Sequence, residues 1–317
     1  MSTLYLDRRN LSLKIKDGAL AIYQNGTQQT TIPLKMLQRL VVRGDTMLST
    51  SVLSELTSNG IGFLSISGRR GDKIAQLTGN LHNDGTRRIN QYRAYMDKSI
   101  RLETARRTVD AKLANQQRLV ERLIDARPDE RNRLTRAART LTLTRTQLAE
   151  SNSTDQLRGY EGAAAAAFFQ AYASVLPPRL KFSGRNRRPP RDPVNACLSL
   201  AYTLLNSDAV HACHIAGLDP AIGMLHEPAF GRASMAADMI EPLRPHIDEW
   251  VWGLFRDRLL DNQHFSHKDD ACLLIKNGRQ IFYSEWEQRA LALRRLLRVE
   301  AQRLARSFGE SDLNPRF

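Results

Sequence analysis

The chain has 317 residues, long enough for two domains, and a 42% hydrophobic share that can fill a core, which excludes disorder as its dominant state. Lys and Arg total 47 against 33 Asp and Glu, a net charge of +14, and 38 of the basic residues are Arg. The planar guanidinium fork pairs bidentately with phosphate oxygens, so the imbalance points to nucleic acid as the partner.

The first 80 or so residues read as β-structure. LSLKIKDGALAIY is two aliphatic runs joined by Asp17-Gly18, and Asn25-Gly26 supplies a second turn before TTIPL and LQRLVVRG. Both dipeptides suit two-residue hairpin turns. A short helix is expected over 51–58, stopped by Asn59-Gly60, with IGFLSIS as a further strand. GNLHNDGT, residues 79–86, reads as the linker between an N-terminal β-domain, residues 1–82, and a helical domain, residues 83–317. The fold class is therefore α+β.

From Arg87 the texture is helical: apolar residues recur at three- and four-residue steps over 87–125 and 130–150, separated by Arg127-Pro128-Asp129. Between residues 81 and 150 there are 16 basic and 9 acidic side chains, half of the net charge. Ser153 and Gln156 form a capping-box pattern ahead of YEGAAAAAFFQAYASVL, which ends before Pro177-Pro178. Asp192-Pro193 opens another helix, closed near Gly217, and a further one is expected over 233–260, bent or broken by Pro242 and Pro245. CLLIKNGRQIFY reads as a hairpin around Asn277-Gly278, Ser284 with Glu287 caps a final helix, and the tail after Ser307 is loose.

Three features could carry chemistry. RLKFSGRNRRPPR offers Arg179, Lys181, Arg185, Arg187, Arg188 and Arg191 without an acid among them, a loop suited to clamping a phosphate backbone, or simply an exposed basic loop. Glu161 interrupts an alanine-rich helix, where a carboxylate is costly to bury unless it is paired or bound to metal; a solvated helix edge is the alternative. His226 precedes Asp238 by 12 residues and Glu241 by 15, and Asp238 and Glu241 share a face if the helix is intact. Carboxylates with one imidazole suit Mn²⁺, or Mg²⁺ through carboxylates and water, although a lone His is more often structural.

Other chemistry finds little support. Cys197, His211, Cys213 and His214 sit on one helix but contain no CxxC pair, so structural zinc is disfavoured. There is no GxSxG nucleophile motif and no phosphate-binding GxxxxGK[ST] loop. Three cysteines make no disulfide framework, the start has no apolar signal region, and the apolar stretch 163–175 falls short of a membrane span. A soluble cytoplasmic protein with no membrane partner is expected.

GYEGAAAAAFF, then GRNRRPPRDPVNACLSLAYTLLNS, then GLDPAIGMLHEPAFGRASMAADMIEPLRP resemble, in order and spacing, the three signature blocks of the CRISPR-associated endonuclease and integrase of spacer acquisition. The resemblance runs over essentially the whole chain. Met235-Ala236-Ala237 departs from it, since the family usually has bulkier residues there.

The resemblance implies an N-terminal β-domain that pairs two subunits and a helical catalytic domain with one divalent ion, Mg²⁺ or Mn²⁺. Carried over by position, Glu161, His226 and Glu241 would be the metal ligands, with Asp238 a neighbouring catalytic acid. Arg158, one turn before Glu161, joins the basic loop as a DNA contact. The implied activity is metal-dependent insertion of short foreign DNA into a CRISPR array by 3′-hydroxyl attack at the repeat border, as part of antiviral defence. The partners would be double-stranded DNA and a small dimeric second acquisition protein. A structure-specific repair nuclease or a mobile-element integrase could use the same site, and a DNA-binding scaffold could keep these residues without catalysis.

Overall fold

The computed structural model describes every residue except 1, 9, 69–72, 78–81, 187–188, 269 and 311–317. The architecture is α+β, β-rich at the N-terminus and largely helical thereafter. Two compact units are present, Met1–Asn83 with Tyr283–Glu287, and Asp84–Phe282 with Gln288–Phe317.

In the first unit, strands β2 (Leu11–Lys16), β3 (Ala19–Gln24), β4 (Thr27–Pro33) and β6 (Thr46–Leu48) form one sheet in the order β4-β3-β2-β6. β1 (Ser2–Leu6), β5 (Leu37–Arg43), β7 (Gly62–Ser67) and β8 (Lys73–Leu77) form the other, in the order β1-β5-β7-β8. The two expected turns are present: Asp17 and Gly18 have φ of 49° and 69°, Asn25 and Gly26 51° and 82°. Positive φ at both central positions gives a turn whose twist matches that of the paired strands. Alternation along β2 buries Leu11 and Leu13 in a core with Leu20, Ile22, Leu40 and, from α1 (Thr50–Ser58), Val52. Each such side chain contributes about 2 kcal/mol by leaving water. The short segment 283–287 belongs here: Tyr5 stacks on Tyr283 with ring centroids 4.5 Å apart, and its hydroxyl donates to Glu287 Oε2 at 3.1 Å.

The second unit contains α2 (Gly85–Met96), α3 (Lys98–Ala126), α4 (Arg131–Gln147), α5 (Thr154–Ser174), α6 (Pro193–Ala216), α7 (Ser234–Ile240) and α8 (Arg244–Arg256). A two-stranded hairpin, β9 (Phe265–Lys268) with β10 (Ala271–Leu274), precedes α9 (Lys276–Glu310), of which 283–287 group with the first unit. Caps set several boundaries. Ser153 Oγ accepts from Gln156 N at 3.2 Å, while Gln156 Oε1 accepts from Asn152 N at 2.7 Å, one residue earlier than a capping box requires. Asp192 Oδ1 accepts from Asn195 N at 2.9 Å, and Pro193 takes the first helical position.

Three expected features differ, the helix over 87–125, the hairpin at Asn277-Gly278 and the cap at Ser284, which lies inside α9, whereas the break at Pro242 and Pro245 is as expected. The single helix over 87–125 is two, because Asp97 Oδ1 accepts from Ser99 N (2.9 Å) and Ile100 N (3.0 Å) and starts α3 afresh. Pro242 and Pro245 divide the stretch 233–260 into α7, a 3₁₀ turn Glu241–Leu243 and α8. The hairpin placed around Asn277-Gly278 is overturned: β9 and β10 pair ahead of it, Lys268 opposite Ala271, and both residues lie in the first turn of α9. Gly278 serves close approach instead of a turn, since a Cβ there would stand 2.6 Å from the His264 carbonyl oxygen.

Candidate active site

Glu161 lies on the buried stripe of α5, in step with Leu157, Ala164 and Phe168, so its carboxylate is turned inward and its side chain is 25% exposed. Lys112 occupies the equivalent stripe of α3, with Val109, Leu113 and Gln116, and is 7% exposed. Its ammonium donates to Glu161 Oε1 and, at 2.5 Å, to Glu241 Oε2. Two carboxylates 80 positions apart thus converge on one buried cation. Arg244 completes the pairing from the other side, its Nε 2.9 Å from Glu241 Oε1. Burial alone would raise the Glu241 carboxyl, yet Arg244 and Lys112, and then His226, hold it down at about 2.

His226 sits in the segment between α6 and α7, and the side chains around it fix that segment's backbone. Asp238 Oδ2 accepts from Met224 N (2.6 Å) and Leu225 N (2.9 Å), and Oδ1 accepts from His226 N (3.0 Å) and the His226 ring at Nδ1 (2.6 Å). Carbonyls are held as well: Arg101 Nε donates to Met224 O at 3.2 Å and Arg158 Nη1 to Leu225 O at 3.3 Å. Gly223 lets this segment lie against α7, because a Cβ there would meet Ser234 backbone at 2.7 Å and Asp238 Oδ2 at 2.8 Å. With Nδ1–H committed to a carboxylate, the lone pair of the His226 ring is on Nε2.

Asp238 and Glu241 therefore do not act as an i, i+3 pair. Asp238 closes α7 around the His226 segment, whereas Glu241 opens the 3₁₀ turn and faces Lys112 and Arg244. As the side chains stand, no three His, Cys, Asp or Glu among the described residues are placed to hold a metal ion. The donor set nevertheless fits a divalent cation: Glu161 and Glu241 already turn on one cation position, and His226 keeps a lone pair for a ligand.

The basic residues separate into two groups. Arg179, Lys181 and Arg191 are exposed and free to meet a partner. Arg185 is built into the protein: it donates to Asn195 Oδ1 (2.6 Å) and Ser199 Oγ (3.1 Å) and lies 5.3 Å from the Tyr202 ring centroid. Arg158 pairs with Asp155 besides holding Leu225. Arg187 and Arg188 lie outside the described residues. Asn195 fixes the loop, accepting from Asn186 N (3.0 Å) and donating to Gly184 O (2.9 Å) and Asp192 Oδ2 (2.6 Å).

Sequence reading passed over Lys112, Arg244 and a buried network behind them. Arg244 packs 4.6 Å from the Tyr202 ring centroid, and the Tyr202 hydroxyl donates to Asp248 Oδ1. Burial pushes the Asp248 carboxyl up to about 7, although Tyr202, Arg244, Lys112 and Arg185 pull it down. A signal for Lys112 was present: a lysine in an Arg-rich helix, on its apolar stripe. The cysteines are buried and unpaired, and burial pushes all three thiols up.

Fold and site define an α+β protein whose helical unit carries buried carboxylates, an oriented imidazole and a basic loop. The family described as CRISPR associated protein Cas1 matches residues 4–288, and the chain belongs to that family. A CRISPR-associated endonuclease Cas1 from Thermodesulfovibrio yellowstonii is 34% identical over 309 residues, covering 96% of each chain. Another from Thermus thermophilus is 29% identical over 304 residues, 91% of this chain and 85% of the relative. In fold, the chain is similar to a Cas1 protein from Thermotoga maritima (TM-score 0.85, 24% identity, 100% of both chains). It is also similar to a casposase bound to integration product (TM-score 0.84, 20% identity, 100% of this chain and 96% of that one). No described helix is long and apolar enough to cross a membrane.

Proposed function

We propose that this chain is a metal-dependent DNA endonuclease and integrase that inserts short foreign DNA into a CRISPR array. The observation that carries the reading is the convergence of Glu161 and Glu241 on one cation position. Family membership, and the naming of curated relatives as endonucleases, support phosphodiester chemistry.

Glu161, His226 and Glu241 would hold Mg²⁺ or Mn²⁺, while Asp238, whose two oxygens already accept four hydrogen bonds, would orient His226. A divalent ion there supplies charge for the attacked phosphate and lowers the pKa of a bound water or 3′-hydroxyl. The protein's own residues do the positioning. Asp238 aims the His226 ring, Arg244 fixes Glu241, and Arg179, Lys181 and Arg191 draw the DNA backbone in by charge. In joining, the incoming 3′-hydroxyl gives up its proton to water as its oxygen bonds to phosphorus, the old phosphodiester bond at the repeat border breaks, and the leaving oxygen takes up a proton from water. Hydrolysis is the same exchange with water.

The N-terminal β-unit is assigned to pairing two copies, and the dimer to assembly with the small dimeric second acquisition protein in the cytoplasm. A strand-transfer assay tests the reading: labelled short duplex with free 3′-hydroxyls, a supercoiled plasmid carrying a repeat array, Mg²⁺ or Mn²⁺, with and without that partner. Joined product that depends on metal and Glu161 is expected. Insertion into any DNA without preference for the repeat would favour a mobile-element integrase, cleavage without joining a repair nuclease, and binding alone a scaffold.

A further inference from the structure

Lys112 holds the position in which a divalent ion would meet Glu161 and Glu241. An ammonium and a divalent ion cannot share it, because like charges at contact distance away from bulk water repel strongly. One turn further along α3, on the same face, Gln116 is 1% exposed and its Oε1 has no hydrogen-bond partner. A buried amide oxygen without a donor has lost its water and gained nothing in return, which destabilises the fold. Residues four apart on a helix have Cβ atoms about 6 Å apart, within reach of a lysine stem.

We propose that Lys112 is a resident counter-cation that gives up Glu161 and Glu241 to the incoming divalent ion and turns to Gln116 Oε1. This rests on the metal site proposed above. The exchange keeps two inward carboxylates compensated before metal arrives and gives a purpose to an amide that otherwise stands unsatisfied. It also makes metal affinity a difference between two cations competing for one pair of carboxylates.

The test uses the intact chain and Mg²⁺, which is diamagnetic. Nine lysines allow the side-chain methylene signals to be followed in ¹³C-lysine-labelled protein, with Lys112→Gln assigning the Lys112 signal. On Mg²⁺ titration the Lys112 signal is expected to move in parallel with binding measured by calorimetry. Lys112→Gln is expected to bind Mg²⁺ roughly tenfold more tightly than wild type, a coupling of ordinary size. Gln116→Leu is expected to bind Mg²⁺ more weakly with no loss of thermal stability in metal-free protein. Should Lys112→Gln fail to fold, Lys112→Arg assigns the signal by its loss, and the wild-type titration and Gln116→Leu still decide. A Lys112 signal that stays still while Mg²⁺ binds, or equal affinity in wild type and Gln116→Leu, overturns the exchange and leaves the metal site standing. No Mg²⁺ binding to any of these proteins overturns both.

Discussion

A single carboxylate oxygen, Asp238 Oδ1, accepts from both the backbone N–H of His226 at 3.0 Å and its ring Nδ1 at 2.6 Å. The ring's position, tautomer and backbone thus depend on one residue 12 positions away. Asp238→Asn replaces one accepting oxygen with an amide that cannot accept, so either the ring or the Met224 and Leu225 amides lose their partner. The expected result is a loss of Mn²⁺ affinity by about 10- to 100-fold, with a stability loss on the order of 2 kcal/mol. Calorimetry with Mn²⁺ and denaturant unfolding check it, and unchanged metal affinity would show that Asp238 only packs.

Gly223 gives the same support from the backbone side. A Cβ would stand 2.7 Å from Ser234 backbone and 2.8 Å from Asp238 Oδ2, neither of which can yield as a flexible side-chain end would. Gly223→Ala is expected to cost about 1–3 kcal/mol in denaturant unfolding and to weaken Mn²⁺ binding with it. Wild-type stability in that variant would show that the 223–226 segment has room to shift.

Asp248 sets a pH dependence. Its carboxyl is up at about 7 in the folded protein, from the ordinary aspartate range near pH 4 when unfolded, so the folded state binds the proton more tightly. Its contribution is full below about pH 4 and is lost as pH rises to about 7. Glu241 works in the opposite window: its carboxyl is held at about 2, and its contribution is lost only as pH falls below its ordinary range near 4 toward that value. Asp248→Asn keeps an acceptor for Tyr202 and removes the titration. It is expected to flatten the loss of stability between pH 5 and 7, on the order of 2 kcal/mol in wild type, and to leave the acid limb unchanged. Thermal unfolding across pH 2–8 checks both limbs.

Local chemistry made much of the fold legible. Asp17-Gly18, Asn25-Gly26, Ser153 and Asp192 each act within a few residues of themselves, and each sits where its turn or cap signal placed it. Asp97 gave no such signal, since Met96-Asp97-Lys98 contains neither Gly nor Pro and a capping Asp inside a helical pattern looks like a surface charge. Asn277-Gly278 gave a false one, because a glycine needed for approach to His264 reads like a turn glycine. The site was legible as a set of residue types. What the sequence could not show is that Lys112 meets partners 49 and 129 positions away, or that Arg158 and Arg185 donate to Leu225 O and Asn195 Oδ1. Those pairings come from the packing of α3, α5 and the segments around α7, not from local pattern.

The two groups of arginines give separable outcomes. Arg179, Lys181 and Arg191 are exposed, so replacing all three by Ala is expected to leave the melting temperature unchanged. DNA binding is expected to weaken and its log–log salt slope to fall by up to about 3, near 0.9 for each phosphate contact removed. Arg185→Ala removes donors to Asn195 and Ser199 and is expected to cost on the order of 1–3 kcal/mol of stability. Titrations at several salt concentrations, paired with melting curves, check both. An unchanged salt slope in the triple variant would place the DNA path elsewhere.

The central claim is that Glu161, His226 and Glu241 act together as one metal-dependent phosphodiester centre. The most direct measurement compares wild type with His226→Ala on one labelled DNA, reading Mn²⁺-dependent cleavage or joining and metal-free DNA binding from the same preparations. The expected result is a rate loss of at least about 100-fold, or about 2.7 kcal/mol of barrier, with DNA affinity held within about twofold. Activity retained in His226→Ala, or lost only in proportion to DNA binding, would contradict the claim.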